Sequence, residues 1–334
     1  EIRKVAENST FVNSRKKGVR EYIHYDAKGN YIKKVLAHIN LKKVKQTKVV
    51  VNCGNGAIAP VFQELKKAFL MQSVPIKLID MNLEPDPEFK NGVPNPLIPK
   101  NRIETSKRVL AEKADFGVAF DGDFDRCFFF DEKGKFVSGE LIVSLIAQYF
   151  LSRNQGGSIV HDLRSVYSIS EVTEKYGGKA TVSKSGHAYF KNKVREEGAI
   201  YGGEFSAHHY FKDFFNCDSG IIPWLIMIEL LSQRSNGLSY QIKNLRKKYP
   251  TSGEINFTVS QKEDLFLDLQ SYYSKCVKKI EHIDGMSFNF DDWRFNLRKS
   301  NTEDFVRLNL EVKNRSTKYL KDRVAELSRF IKKY

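Results

Sequence analysis

The chain has 334 residues, 41% of them apolar, enough to build two or three domains with real cores and too ordered in composition to be a disordered tail. Its formal net charge of +15 fits an anionic ligand such as a sugar phosphate, a nucleotide or a nucleic acid. Four cysteines lie far apart at Cys53, Cys127, Cys217 and Cys276, which excludes a Cys-x-x-Cys zinc site or a disulfide framework. Together with the lack of a visible signal peptide, they make a reducing, cytoplasmic location the expectation. The longest apolar run, Ile221 to Leu231, contains Pro223 and Glu229 and is too short to span a bilayer, so no membrane partner is expected. The basic residues alternate with acidic ones and form no known nucleic-acid module, so no nucleic-acid partner is expected either.

Residues 31 to 39 carry helical spacing, with Ile32, Val35, Leu36 and Ile39 on one side. Residues 48 to 51 form a strand that runs into Asn52-Cys53-Gly54-Asn55-Gly56 and then a helix from about 57 to 69, the opening of an α/β unit. The glycine spacing matches neither a dinucleotide fingerprint nor a P-loop, so a tight turn is expected there. A strand at 74 to 80 precedes a Pro/Asn-rich loop from 82 to 99, and a helix spans 105 to 113.

The stretch from 114 to 139 organises the chain. Phe116 to Phe120 reads as a buried strand ending in Asp121-Gly122-Asp123-Phe124-Asp125-Arg126. Carboxylates at i, i+2 and i+4 on one loop can converge on a hard cation, and Mg²⁺ takes oxygen ligands. Gly122 permits a tight bend, and Arg126 adds a donor fork suited to phosphate. An Asp/Gly run can also be a solvated turn. The crowding of three acids and an arginine at the end of a core strand favours the site. A calcium EF-hand does not fit, because no Glu closes the loop at position 12.

A hairpin over 127 to 137 closes the first unit, and the helix 140 to 151 opens the second. Strands at 157 to 160, 179 to 183 and 199 to 201 alternate with helices at 168 to 176, 188 to 196 and 220 to 231. Two loops here carry chemistry. Ser183-Lys184-Ser185-Gly186-His187 offers a lysine, a hydroxyl and a histidine at the start of a helix, suited to phosphate or proton transfer. Gly202 to Tyr210 contains Glu204, Ser206 and His208, and Glu204 with Ser206 can grip vicinal hydroxyls. Each loop has a plainer reading as a helix cap.

Residues 249 to 254 form the best linker candidate, and the pattern beyond them changes. Strands at 255 to 259, 286 to 290, 293 to 297 and 306 to 311, with helices at 265 to 279 and 319 to 331, predict a small α+β domain. Its loop Arg298-Lys299-Ser300-Asn301-Thr302-Glu303, followed by Arg307, offers many donors to a phosphate dianion. Read alone, it could be a charged turn. No internal sequence repeat is present.

In this order the motifs resemble those of the α-D-phosphohexomutases, in the form seen in bacterial phosphomannomutases, over about residues 15 to 334. Asp121 to Arg126 is similar to the family's metal loop, Ser185-Gly-His187 to its Gly-His loop, Gly203 to Phe211 to its sugar-recognition loop and Arg298 to Glu303 to its phosphate loop. Asn52 to Gly56 also matches a family loop.

The resemblance implies an α/β chain with two mixed α/β domains at 28–138 and 139–249 and a small α+β phosphate-binding domain at 250–334, preceded by a 1–27 remnant of a first domain. It implies Mg²⁺ on Asp121, Asp123 and Asp125, with Arg126 supporting phosphoryl transfer. Arg164 and His187 would flank the reacting hydroxyl. Lys184, Glu204, Ser206 and His208 would bind substrate. Arg298, Ser300, Asn301, Thr302 and Arg307 would hold the nonreacting phosphate of a phosphorylated hexose.

The implied reaction interconverts mannose 6-phosphate and mannose 1-phosphate through a phosphoserine and a hexose 1,6-bisphosphate; the alternatives are phosphoglucomutase activity, since some members also accept glucose phosphates, and a noncatalytic sugar-phosphate-binding protein. Two departures stand out. Asp304 replaces the family's usual Pro and is expected to weaken phosphate binding modestly. The nucleophile motif Thr-Ala-Ser-His-Asn-Pro is absent, and Ser9 and Ser14 stand in other settings. With Glu1 as first residue, an internal start is the expectation, and a chain that does not complete the mutase cycle by itself.

Overall fold

The computed structural model describes residues 2–11, 23–164, 166–300 and 304–334. It contains three five-stranded sheets. In the first, β1 (Thr47–Asn52), β2 (Ile76–Met81) and β3 (Phe116–Phe120) are parallel. β4 (Cys127–Phe130) and β5 (Phe136–Val137) add an antiparallel edge, giving the order β2-β1-β3-β4-β5.

The second sheet repeats this plan. β6 (Ser158–Asp162), β7 (Lys179–Ser183) and β8 (Tyr201–Gly203) are parallel. β9 (His209–Phe211) and β10 (Cys217–Asp218) follow antiparallel, in the order β7-β6-β8-β9-β10. The two units are thus topological copies with no visible sequence repeat. Burial on both faces asks only for apolar strands, which many sequences satisfy. Glu204 to His208, between β8 and β9, is the counterpart of Asp121 to Arg126, between β3 and β4.

The third sheet is wholly antiparallel. It is built from β11 (Thr251–Phe257), β12 (Lys279–Glu281), β13 (Met286–Asn289), β14 (Trp293–Lys299) and β15 (Val306–Val312), in the order β11-β15-β14-β13-β12. The helix Thr317–Ile331 packs on it, its first turn capped by Ser316 Oγ, which accepts from Tyr319 N–H at 3.2 Å.

Three details differ from the sequence reading. Residues 251 to 254 are not a linker but the start of β11. The helix expected over 265 to 279 runs instead over Lys262–Tyr273, and residues 279 to 281 pair with β13. A further helix, Leu238–Lys248, is amphipathic through buried Leu238 and Ile242.

The first two units share one apolar core. The helix Ile221–Ser232 is buried along nearly its whole length, so its hydrophobic run serves packing. Its Trp224 lies 6.0 Å from the rings of both Phe62 and Phe120 of the first unit. The third sheet has a separate core around Phe288, Phe295, Leu308 and Leu327. It joins the second unit through polar contacts. Buried Arg294 donates to Leu163 O at 2.7 Å and to Glu311 Oε1 at 3.0 Å. Glu311 accepts from the amides of Val166 (2.7 Å) and Tyr167 (3.3 Å). Among the described residues, no helix is long and apolar enough to cross a membrane.

Candidate active site

The acidic loop is shaped by its neighbours. Phe124 takes φ +52°, so the chain turns sharply between the second and third aspartates. Gly56 approaches so closely that a Cβ there would lie 2.5 Å from Gly122 O, and Ala57 N–H donates to that oxygen at 2.9 Å. The Asn52 to Gly56 turn therefore buttresses the loop. Gly220 does the same from the second unit, with Phe124 O 2.5 Å and Arg126 O 3.0 Å from a would-be Cβ.

Asp121, Asp123 and Asp125 each bring a carboxylate oxygen within 4.8 Å of the others. Asp121 is buried, and its pKa is pushed up to about 6, chiefly by desolvation, against the pull of Arg126. Arg126 Nε donates to Asp121 Oδ2 at 2.5 Å and lies 3.5 Å from Asp125 Oδ1. Asp125 Oδ1 is buried without a hydrogen-bond partner among the described residues. Three hard oxygen donors, one of them orphaned, fit a small divalent cation.

The equivalent loops of the two units meet. Arg126 and His208 form an isolated antiparallel bridge, and His208 Nε2 lies 3.4 Å from Asp125 Oδ2. Burial opposes charge on His208, but Asp125 and Glu204 outweigh it and raise its pKa. Its neighbour His209 points into the core against Tyr201 and is driven down to about 3 by burial. Strand alternation separates the two fates.

Glu204 is buried. Tyr210 Oη donates to its Oε1 at 2.6 Å and Gly186 N–H to its Oε2 at 3.3 Å. Its Oε1 lies 3.7 Å from His208 Nδ1 and its Oε2 lies 3.6 Å from Arg164. Ser206 Oγ is 3.2 Å from His208 Nδ1. Arg164 is buried and donates twice to one oxygen, Asp162 Oδ2, through Nε at 2.9 Å and NH2 at 2.5 Å. Burial disfavours its charge, but Asp162 and Glu204 overcome this and raise its pKa.

Arg164 NH1 also lies 3.9 Å from Glu254 Oε2. Glu254 meets Arg298 NH2 at 2.9 Å and Arg307 NH1 at 3.3 Å. Arg307 NH2 donates to Ser300 Oγ at 3.3 Å. Asn301 and Thr302 lie outside the described residues. Asp304, placed by its sequence near the anchor, is exposed and paired with Lys262, so its charge is matched locally.

His187 opens the helix His187–Glu196 and is exposed, and Lys184 lies over the Tyr189 ring at 5.0 Å. The structure joins the acidic loop, the Glu204 loop, Arg164 and the Arg298–Arg307 anchor in one line of ionic contacts. Among the described residues, neither His187 nor Lys184 makes an ion pair or hydrogen bond to that line. Sequence reasoning missed Asp162, Tyr210 and Glu254. Asp162 stands two residues before Arg164 at a strand end, which is a usable signal. Tyr210 and Glu254 carry none, because their partners are set by tertiary packing.

Comparisons with known proteins agree with this arrangement. Family models described as phosphoglucomutase/phosphomannomutase alpha/beta/alpha domain II, alpha/beta/alpha domain III and C-terminal domain match residues 29–134, 138–249 and 254–327. A phosphomannomutase of Vibrio cholerae is 45% identical over 334 residues, covering 100% of this chain and 72% of that protein. One of Escherichia coli is 42% identical over 313 residues, covering 93% and 68%. The crystal structure of a phosphoglucomutase/phosphomannomutase family protein from Burkholderia thailandensis superposes with a TM-score of 0.83 at 25% identity, covering 99% of this chain and 69% of the other. With every model aligned to one of the three sheets, the chain belongs to the phosphoglucomutase/phosphomannomutase family, the α-D-phosphohexomutases.

Proposed function

We propose that this chain carries the metal, sugar and phosphate recognition of a phosphomannomutase, which interconverts mannose 6-phosphate and mannose 1-phosphate through a phosphoserine and a hexose 1,6-bisphosphate. One observation carries the reading. Ionic contacts run without a break from Asp125 through His208, Glu204, Arg164 and Glu254 to Arg298 and Arg307, crossing all three sheets. A phosphosugar lying along that line meets a cation site at one end and paired arginines at the other. The limits of the matching models support units at 28–138, 139–249 and 250–334.

Asp121, Asp123 and Asp125 would hold Mg²⁺, which when bound neutralises charge on a transferring phosphoryl group. Arg126, fixed by Asp121, aims positive charge at the same place. Arg164 stays protonated beside Asp162, so it supplies a fixed cation near the reacting hydroxyl. His187, exposed at a helix start, is free to meet that hydroxyl and move its proton. Glu204, with Ser206 and His208, accepts and donates to the sugar hydroxyls, and Lys184 adds charge at the rim. Arg298, Ser300, Asn301, Thr302 and Arg307 hold the second phosphate.

A second reading, which the same line of sugar- and phosphate-facing groups supports, is a sugar-phosphate binder without turnover. Calorimetric titration in Mg²⁺ separates the cases. Mannose 6-phosphate and mannose 1-phosphate are expected to compete for one site. Absence of binding by both overturns the proposal. Turnover primed with hexose 1,6-bisphosphate, after a domain carrying the phosphoserine loop is supplied, decides between mutase and binder.

A further inference from the structure

The segment from Thr251 to Glu254 is a built feature of β11. Thr251 sits opposite Glu311 and Glu254 opposite Asn309, so three steps on one strand face two on the other. This is a β-bulge, a device that re-aims a side chain. Gly253 takes φ +68° with nothing within 4 Å of a would-be Cβ, so glycine is needed there for its backbone alone. Two side chains stitch the bulge. Ser252 Oγ accepts from Leu310 N–H at 2.9 Å, and Asn309 Nδ2 donates to Gly253 O at 3.1 Å.

The bulge directs Glu254 at three guanidinium groups: Arg298 at 2.9 Å, Arg307 at 3.3 Å and Arg164 at 3.9 Å. Arg164 already has Asp162 at 2.5 Å, whereas Arg298 has Glu254 as its one ion-pair partner among the described residues. Arg298 is 6% exposed, and its Nε has no hydrogen-bond partner among those residues.

We propose that Glu254 is an internal stand-in for phosphate: a positioning residue that holds Arg298 and Arg307 side by side and takes them back as a sugar phosphate leaves. The inference rests on the reading of these arginines as the phosphate anchor. A carboxylate presents to a guanidinium the same pair of oxygens as a phosphate, with half the charge. A phosphate dianion therefore displaces it. Without it, a departing phosphate leaves cations uncompensated in a largely desolvated place, and that cost slows release. With it, the arginines pass from one anion to another. A reaction whose intermediate presents first one phosphate and then the other to this anchor requires such exchange.

The test compares the parent chain with Glu254→Gln and Glu254→Asp, using mannose 6-phosphate at constant Mg²⁺, with affinity from calorimetry and dissociation from stopped-flow displacement. Glu254→Gln is expected to bind about 3- to 10-fold tighter, most of the change being slower dissociation. Glu254→Asp keeps the charge and is expected within about twofold of the parent. Equal or weaker binding by Glu254→Gln overturns the proposal. So does an Asp variant that binds much more than twofold weaker than the parent, which marks a packing role. The same titrations with inorganic phosphate separate the two layers. A parent that binds neither sugar phosphate nor phosphate overturns the anchor reading itself. A parent that binds while Glu254→Gln gains nothing overturns only the role of Glu254.

Discussion

The acidic loop and the arginine anchor solve the same problem, holding charge at a strand end, in opposite ways. The loop draws its ligands from five consecutive positions and is braced by two units welded through one apolar core around Trp224. The anchor draws Arg164 from one unit and Glu254, Arg298 and Arg307 from another, and those units meet through polar latches. Apolar burial makes a rigid joint. A polar interface is more readily rearranged. On the proposed reading, the cation site is therefore pre-set and the phosphate end is the adjustable part.

Breaking the latch gives the largest expected effect. Arg294→Ala removes one partner of a buried pair with Glu311 and strands that carboxylate, at a cost of about 3–5 kcal/mol. Urea unfolding should show the loss, with mannose 6-phosphate binding weakened and Mn²⁺ binding by the acidic loop retained. Equal loss of both would erase the contrast between a rigid and an adjustable end.

The reciprocal change, Asp121→Asn, is expected to weaken divalent-cation affinity by about 100-fold or more. The unfolding midpoint in chelator should change little, because the carboxylate it replaces is a desolvated one. A large destabilisation would mean that the loop serves the fold before it serves a metal.

Gly220→Ala sharpens the picture without touching a ligand. Its Cβ would press on Phe124 O and Arg126 O, so the loop must shift. Cation affinity should fall about tenfold, as overpacking displaces the oxygens. Unchanged affinity in a titration would show the loop to be softer than its bracing suggests.

The smallest effect concerns Glu140, which crosses to the third unit by accepting from Thr251 Oγ1 at 3.1 Å. Burial raises its pKa, and its Oε2 has no hydrogen-bond partner among the described residues. A carboxyl whose folded pKa exceeds its ordinary value holds its proton more tightly in the native state. Its stabilisation is complete below the ordinary pKa and is lost as pH rises through the folded one. Glu140→Gln does not titrate, so its stability relative to the parent should rise as pH climbs above the ordinary carboxyl range. A flat difference across that range would place Glu140 in a wetter setting than its burial indicates.

Much of this was legible in the chain. Phe116 to Phe120 is apolar throughout because both faces are covered, and an acidic loop at its end is a local pattern that survives any arrangement of the rest. The Glu204 and Arg298 loops are equally compact in sequence. The duplication of the first sheet in the second was not legible, since topology constrains burial and not identity. Nor was the bulge. Thr251-Ser252-Gly253-Glu254 has the composition of a linker, and the same glycine that suggests a flexible joint serves here to hold a fixed left-handed turn.

The sequence alone therefore determined the chemistry of each loop and the class of domain that carries it, because ligand spacing and hydrophobic period act over a few residues. Only the tertiary structure decided which loops face one another: Arg126 against His208, Arg164 against Glu204, Glu254 against Arg298 and Arg307. Those pairings depend on how three sheets pack. Packing is settled by the summed burial of side chains far from the site, such as Trp224 and Arg294, which no local pattern connects to the chemistry.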